Sequence, residues 1–412
     1  MSKLSFSILR NRNFRTLLCT RVFLQLGLQA QAVIVGWQIY SITKSTLLLG
    51  VAGLTEAIPA ILGALVAGHV VDTVGHPVVI YRLCIAALMT NMLVFLLFAG
   101  GMAAPPGGSL LPWIFGGIFF SGLARSFVIP TSFSLLPHVV PRSEFPAAAA
   151  WQVSGFQVAS ITGPAIAGLV YGGYGAHRAW ILPALLMGIA CLTSNLIRLP
   201  RHPPSGERRE SAVKSIHAGW KFIAGHPVLL SVMSLDMFAV LFGGATAMLP
   251  AYADRVLHVG AEGLGALRAA PALGAVAVSL LFAFRPMKNL SAARMLCAVT
   301  GFGLCMIGFG LSTSFALSMG LLALSGVCDS TGVMIRGTMM QLLTPEAMRG
   351  RVSSISSMFI ISSNEIGAFE SGVAARLLGL VPSVVAGGMV TLFVVAFVAT
   401  VSPRFRKTVV EI

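Results

Sequence analysis

Long apolar runs, separated by short polar segments, restrict this chain to membrane folds. Hydrophobic residues make up 56% of its 412 positions and charged residues only 10%, with a mean hydropathy of +0.87. A soluble chain has about 25% charged residues, and an apolar run of about 20 residues crosses the hydrocarbon core as a helix. The runs predict an all-α membrane protein with twelve transmembrane helices, near 14–40, 46–71, 77–100, 110–136, 145–172, 176–198, 226–252, 260–284, 290–311, 314–342, 350–378 and 381–402.

The basic residues predict how these helices are oriented. The formal charge is +15, from 28 Lys and Arg against 13 Asp and Glu. With the N-terminus inside, 20 of the 28 basic residues fall on the cytoplasmic side, 4 outside and 4 within helices. This distribution follows the positive-inside rule, so we expect both termini in the cytoplasm and no nucleic-acid partner. Polar residues before Phe14 indicate that the first run is retained and not cleaved as a signal peptide.

Weak internal similarity divides the chain into two six-helix halves. Residues 121–126 (Ser-Gly-Leu-Ala-Arg-Ser) align with 325–330 at an offset of 204, which also superposes Gly163 on Gly367 and Gly168 on Gly372. An offset of 215 relates Leu49-Gly50 to Leu264-Gly265. We expect an N-terminal half at 1–198, a cytoplasmic linker at 199–225 and a C-terminal half at 226–412, with a site near the midplane where the pseudo-symmetric halves meet.

The end of the linker has the pattern of an amphipathic helix. Val213, Ile216, Trp220 and Ile223 recur at helical spacing, with Lys214 and Lys221 on other faces. This pattern predicts a helix that lies on the membrane surface.

Charged residues inside the apolar runs are the candidates for function. A charge at the centre of a spanning helix costs about 2.5–3.5 kcal/mol or more, so it normally faces a partner or a wet cavity. Nine such residues are present: Arg21, Glu56, Arg125, Asp236, Arg268, Asp329, Arg336, Glu365 and Glu370.

The repeat suggests how these charges are arranged. The offsets make Arg125 equivalent to Asp329, and Arg21 stands in the first helix as Asp236 stands in the seventh, so we expect the pairs Arg125–Asp329 and Arg21–Asp236. A buried carboxylate beside an arginine can take up and release a proton as its surroundings change. The alternative is a permanent ion pair that locks two helices together.

Seven of the charges form the predicted substrate- or proton-binding set. Glu365 and Glu370 are five residues apart, about 140° around a helix, so we expect only one of them to face the pathway. The set is Arg21, Glu56, Arg125, Asp236, Asp329, Arg336 and Glu365.

The sequence contains no motif for metal binding, nucleotide hydrolysis or catalysis. The six cysteines fall within predicted spans without metal spacing, and no pair of the eight histidines has metal spacing either. No phosphate-binding loop and no catalytic constellation occur. We therefore expect no enzyme, no cofactor and no metal, and an ion gradient as the energy source.

The chain resembles the major facilitator superfamily, and within it the branch of the enterobactin exporter and related small-molecule efflux proteins. The resemblance covers nearly the whole chain and is carried by residues 13–18, 49–59, 141–168 and 343–352. It implies the major facilitator fold.

Two motifs of that superfamily can be placed on this chain. Residues 63–82 are similar to the loop between helices 2 and 3, which implies that Asp72 holds a cytoplasmic gate, although Thr73, His76 and Pro77 replace the usual basic positions. Residues 163–168 (Gly-Pro-Ala-Ile-Ala-Gly) are similar to the antiporter motif in helix 5. This implies gating by Gly163 and Pro164, through close packing and a proline kink; an ordinary kink is the alternative.

Together these observations predict a monomeric secondary transporter in a bacterial inner membrane, surrounded by lipid. It would export a small organic solute, siderophore-like or drug-like, by proton antiport with alternating access. A lipid or multidrug transporter and an importer of the same fold are alternatives. A receptor or scaffold that moves no solute is the alternative of another class.

Overall fold

A computed structural model of the protein describes residues 7–74, 76–141, 144–198, 212–284, 289–402 and 409–411. This part of the chain is almost entirely helical, as the apolar runs predict. Short 3₁₀ helices occur at Ile8–Arg10 and Ala245–Met248. The α-helices are α1 Arg12–Thr43, α2 Thr46–Val74, α3 Pro77–Phe98, α4 Leu111–Val139, α5 Phe145–Ala179, α6 Ile181–Asn195, α7 Ala212–Ala224, α8 Pro227–Gly243, α9 Leu249–Arg255, α10 Gly260–Phe284, α11 Ala292–Leu311, α12 Phe315–Leu343, α13 Glu346–Leu378 and α14 Leu380–Val401.

Ten segments of the described chain are helical, long and apolar enough to cross a membrane. The segment Pro227–Arg255 counts as one of them. Helix α6 has only 15 residues, and α13 carries Glu365, Glu370 and Arg376 in its second half. The chain is therefore a multi-pass helical membrane protein, and the number twelve stays a prediction.

Two predicted spans differ from the observed helices. The span expected at 226–252 is broken, because α8 ends at Gly243 and a 3₁₀ turn precedes α9. The boundary expected between residues 172 and 176 lies at a kink, because Gly175 has non-helical backbone angles (φ 73°, ψ 177°) and divides α5, whose last residues run on to Ala179.

A two-stranded antiparallel sheet was not predicted. Strand β1, Asn289–Ser291, pairs with strand β2, Val409–Glu411, so that Asn289 lies opposite Glu411. Three residues per strand carry too little periodicity to be recognised in a sequence dominated by helices.

The chain forms two compact units. Unit 1 contains Met1–Ile42, Thr55–Glu207 and Gly260–Ala269, and unit 2 contains Thr43–Leu54, Arg208–Val259 and Ala270–Ile412. The first turns of α2 therefore belong to unit 2, and the first turns of α10 belong to unit 1.

Each unit has its own packed interior. In unit 1, the Trp180 ring stacks on Phe95 with centroids 4.6 Å apart, and its indole N–H donates to Gln38 at 3.0 Å. In unit 2, helices α8, α11, α12 and α14 share one apolar core. Its buried members include Val232, Leu235, Met295, Val299, Ile335, Met339 and Val398.

The amphipathic helix of the linker forms as predicted, at α7. Its Ile223 is buried with Met233, Val352 and Ile355, so the helix packs against α8 and the start of α13. Trp220 is 44% exposed and meets the edge of Phe359. The side chains of Val213 and Ile216 lie outside the described residues.

Candidate functional site

Unit 1 places Glu56 of α2 against Arg125 of α4. The Arg125 guanidinium donates to the Glu56 carboxylate in an ion pair whose side chains are partly accessible. Gly122, one turn before Arg125, makes this possible: a Cβ there would lie 3.1 Å from the Pro59 ring and closer still to the Glu56 backbone. The two helices approach closely at Gly122 and bring the charges together.

Two further arginines of unit 1 lie in membrane helices. Arg21 of α1 donates to the side-chain oxygen of Gln152 on α5. Arg268 of α10 is within electrostatic range of Glu56. Unit 1 thus places Arg125 and Arg268 near Glu56, and Arg21 separately against Gln152.

Unit 2 contains a buried ion pair between α8 and α12. Arg336 donates to the Asp236 carboxylate, and the two residues are only 7% and 9% exposed. Within the same unit, α8, α11 and α12 enclose a small cavity lined by Asp236, Val240, Val299, Phe302, Asp329 and Gly332. Asp329 is an exposed residue and contributes to the lining of this cavity.

The structure gives two of these charges partners within their own units. Asp236 pairs with Arg336, and Arg125 pairs with Glu56, for which the sequence predicts no definite partner. The physical reason is proximity, because adjacent helices within one unit bring opposite charges into contact. The burial of Asp236–Arg336 is nearly complete, which favours a structural ion pair between α8 and α12.

Two of the nine intramembrane charges stand apart. In the part of the chain that the structure describes, neither Arg268 nor Asp329 forms a hydrogen bond or an ion pair. Arg268 is half-buried and Asp329 is exposed. Arg268 was among the nine charges but not in the predicted site, because nothing in the sequence separates it from a paired arginine.

The acidic residues of α13 lie in unit 2. The Glu365 carboxylate packs against α2, where a Cβ on Gly53 would lie 3.3 Å from Oε2. Glu370 is half-buried beside Ser371, whose hydroxyl donates to the Gly244 carbonyl at 3.3 Å. Ser371 thereby satisfies a backbone group that the break after α8 leaves without a helical partner.

The predicted gating residues have different outcomes. The side chain of Asp72 lies outside the described residues. Gly163 permits close packing of α5 on α1, since a Cβ there would be 2.8 Å from the Cβ of Gln29. Pro164 lies inside α5, but the residue with non-helical backbone angles is Gly175. Among the described residues, no group of three His, Cys, Asp or Glu side chains is arranged to hold a metal ion.

Comparison with known proteins supplies a family for this arrangement. Residues 3–409 match the family described as Transmembrane secretion effector. The Enterobactin exporter EntS proteins of Shigella boydii serotype 4 and of Escherichia coli O1:K1 / APEC are each 26% identical over 409 residues, which is 98% of this chain and 96% of theirs.

Solved transporter structures share the fold. A POT family transporter in complex with 5-aminolevulinic acid matches with a TM-score of 0.78 at 12% identity, over 96% of this chain and 97% of that one. A bacterial homolog of the human lysosomal transporter Spinster, in an inward-facing and unoccupied conformation, matches with a TM-score of 0.72 at 15% identity over 98% of both chains.

Proposed function

We propose that this chain exports a small organic solute by proton antiport. The chain belongs to the transmembrane secretion effector family, which lies within the major facilitator superfamily, and to the enterobactin exporter branch of that superfamily. Export follows from the relatives, whose names identify them as exporters. The solute class to test first is a catecholate siderophore, and a lipophilic drug is the second. We also propose that the protein works by alternating access between the two membrane faces. It would act as a monomer in a bacterial inner membrane, with both termini in the cytoplasm.

The observation that carries the antiport proposal is the Asp329 carboxylate. It faces the unit 2 cavity and has no hydrogen-bond or ion-pair partner among the described residues. Because no cation fixes its charge, Asp329 can bind and release a proton according to the solution it faces. Asp236 in the same cavity is held by Arg336, which suits a structural role. Asp329 is therefore the proposed proton carrier.

An ion gradient is sufficient to drive such a cycle. Moving one proton down a potential of 100 mV supplies about 2.3 kcal/mol. Protonated Asp329 is neutral, so apolar surroundings can enclose it during the conformational change at a lower cost than its charged form. Solute binding would then favour one protonation state, and the proton and the solute would move in opposite directions.

Everted membrane vesicles with a pH gradient and a fluorescent pH probe test this proposal. We expect a catecholate siderophore to release protons from vesicles containing the wild-type protein and not from vesicles containing Asp329→Asn. Asp254→Asn is the matched control, because Asp254 forms an exposed ion pair with Lys44 at 2.8 Å.

The other outcomes separate the alternatives. Proton release by a lipophilic cationic drug alone would make the protein a multidrug transporter. Solute binding without movement of protons or solute would support a receptor or scaffold. Proton release that is equal in wild type and Asp329→Asn would contradict the role of Asp329.

A further inference from the structure

Unit 1 places three arginines inside apolar runs, and among the described residues Arg268 is the one of these whose side chain lacks a hydrogen-bond acceptor, since Arg21 donates to Gln152 and Arg125 to Glu56. Arg268 lies on the first turns of α10, in the apolar stretch Gly-Leu-Gly-Ala-Leu-Arg-Ala-Ala-Pro at 263–271. A guanidinium presents five N–H donors in a planar fork. In a membrane helix, leaving these donors without acceptors is unfavourable unless water or a ligand accepts from them.

The surrounding charge leaves room for an anion. Glu56 is the acidic group that acts on Arg268 electrostatically, and the same carboxylate accepts a hydrogen bond from Arg125. Arg125, Arg268 and Glu56 together carry a net charge of +1. One additional anionic group would balance them.

Backbone packing holds Arg268 in place without help from its own side chain. Gly265, three residues earlier, lies against α5, where a Cβ on Gly265 would be 2.6 Å from the Pro164 carbonyl oxygen and 2.8 Å from the Gly168 Cα. The first turns of α10 are therefore anchored to unit 1 through backbone contacts, and the half-buried guanidinium takes no part in them.

We propose that Arg268 binds an anionic group of the transported solute, with a carboxylate as the best match. The planar fork donates two parallel hydrogen bonds to a carboxylate, a geometry that lysine does not reproduce. This inference rests on the proposed function and extends it, because it assigns the solute anion to Arg268 in unit 1 and the proton to Asp329 in unit 2. A neutral analogue of the same solute would lose the contact.

Equilibrium binding to purified protein in nanodiscs tests the assignment without any gradient. The probes are radiolabelled 2,3-dihydroxybenzoate and its methyl ester, which share one aromatic body and differ in the carboxylate charge. We expect the wild-type protein to bind the acid about tenfold or more tightly than the ester, equivalent to about 1.4 kcal/mol. Arg268→Gln should remove that preference and leave ester binding unchanged, and Arg268→Lys should restore it in part.

Two controls make the result specific. Arg178→Gln changes an exposed arginine of unit 1 that lies over the Tyr174 ring, and it should bind both probes like the wild type. The binding assay uses no gradient and is the second control, because a wild-type protein that binds the acid but releases no protons in vesicles separates a failure of proton antiport from a failure of anion binding. Equal affinity of the wild type for acid and ester, no binding of the acid, or an undiminished preference in Arg268→Gln would each overturn the assignment.

Discussion

At the scale of single residues, burial separates the two ion pairs of the membrane helices. The Asp236 and Arg336 side chains retain 12% and 8% of their accessible surface, whereas the Glu56 and Arg125 side chains retain 28% and 43%. Removing one partner of a buried pair leaves an uncompensated charge, and replacing both partners with apolar residues avoids that penalty. The Asp236–Arg336 pair is therefore the one whose members cannot be changed singly.

Unfolding measurements on purified protein test this distinction. We expect Asp236→Leu and Arg336→Met each to lower the free energy of unfolding by about 3–5 kcal/mol, and the double variant to recover most of the loss. Lys44→Met, which removes an exposed ion pair with Asp254, should cost at most about 1 kcal/mol. A double variant as unstable as the sum of the single variants would show that the pair is not the source of the effect.

The sequence identified the intramembrane charges but not their partners. Each of the nine residues interrupts an apolar run, and that signal is local. The Glu56–Arg125 pair depends on the close approach of α2 and α4 at Gly122, which is a property of packing. The isolation of Arg268 and Asp329 is likewise visible only when neighbouring helices are in place.

At the scale of elements, periodicity predicted α7 but not the surface that it covers. Gly219 lies against the start of α13, where a Cβ would be 2.7 Å from Ile355 Cδ1 and 3.1 Å from the Arg351 carbonyl oxygen. A side chain can move aside, but a carbonyl in a helix cannot move without disturbing the helix. Gly219 is therefore required for α7 to dock on α13.

A pair of valine substitutions tests the docking of α7. Gly219→Val should displace α7 and accelerate trypsin cleavage at Lys221 several-fold, because cleavage requires local opening of the helix. Ala224→Val is the matched control, since Ala224 is exposed on the same helix and tolerates the added methyl groups. Equal cleavage rates in the two variants would argue that α7 does not depend on this contact.

Helix α8 shows where the prediction of elements fails. Its apolar run continues past Gly243-Gly244 without a charged residue, so hydropathy predicts one uninterrupted span. The break after Gly243 is accommodated by tertiary contacts, among them the bond from Ser371 to the Gly244 carbonyl. Neither glycine pairs nor distant serines are specific enough in sequence to locate such a break.

At the scale of the whole molecule, the sequence repeat reappears as a repeated contact. In unit 2, a Cβ on Gly372 would lie 3.0 Å from both the Thr46 carbonyl oxygen and the Gly50 Cα. In unit 1, a Cβ on Gly168 would lie 2.7 Å from the Ala261 carbonyl oxygen and 2.6 Å from the Gly265 Cα. The offsets of 204 and 215 relate every member of one contact to a member of the other.

The match between the sequence offsets and the glycine contacts explains why the repeat was predictable from the sequence although the helices in contact were not. The two offsets depend only on the order of residues along the chain, and small residues at matched positions record that order. Which helix each glycine meets depends on the conformation of the chain. The contacts join the first turns of α2 to α13 and the first turns of α10 to α5, an arrangement that composition and spacing do not encode.

If transport proceeds by alternating access, these two glycine contacts form in one state of the cycle and separate in the other. A valine at Gly168 or Gly372 would collide with backbone atoms, at a cost of about 1–3 kcal/mol for the state with the contact. Because the other state relieves the collision, we expect both variants to unfold near the wild-type temperature while solute-driven proton release falls fivefold or more.

Gly173→Val is the control and should transport normally, because a side chain at Gly173 on α5 would point into open space. Normal transport by Gly168→Val and Gly372→Val would mean that the two contacts do not change during the cycle, whereas a matched loss at both positions would mean that both do.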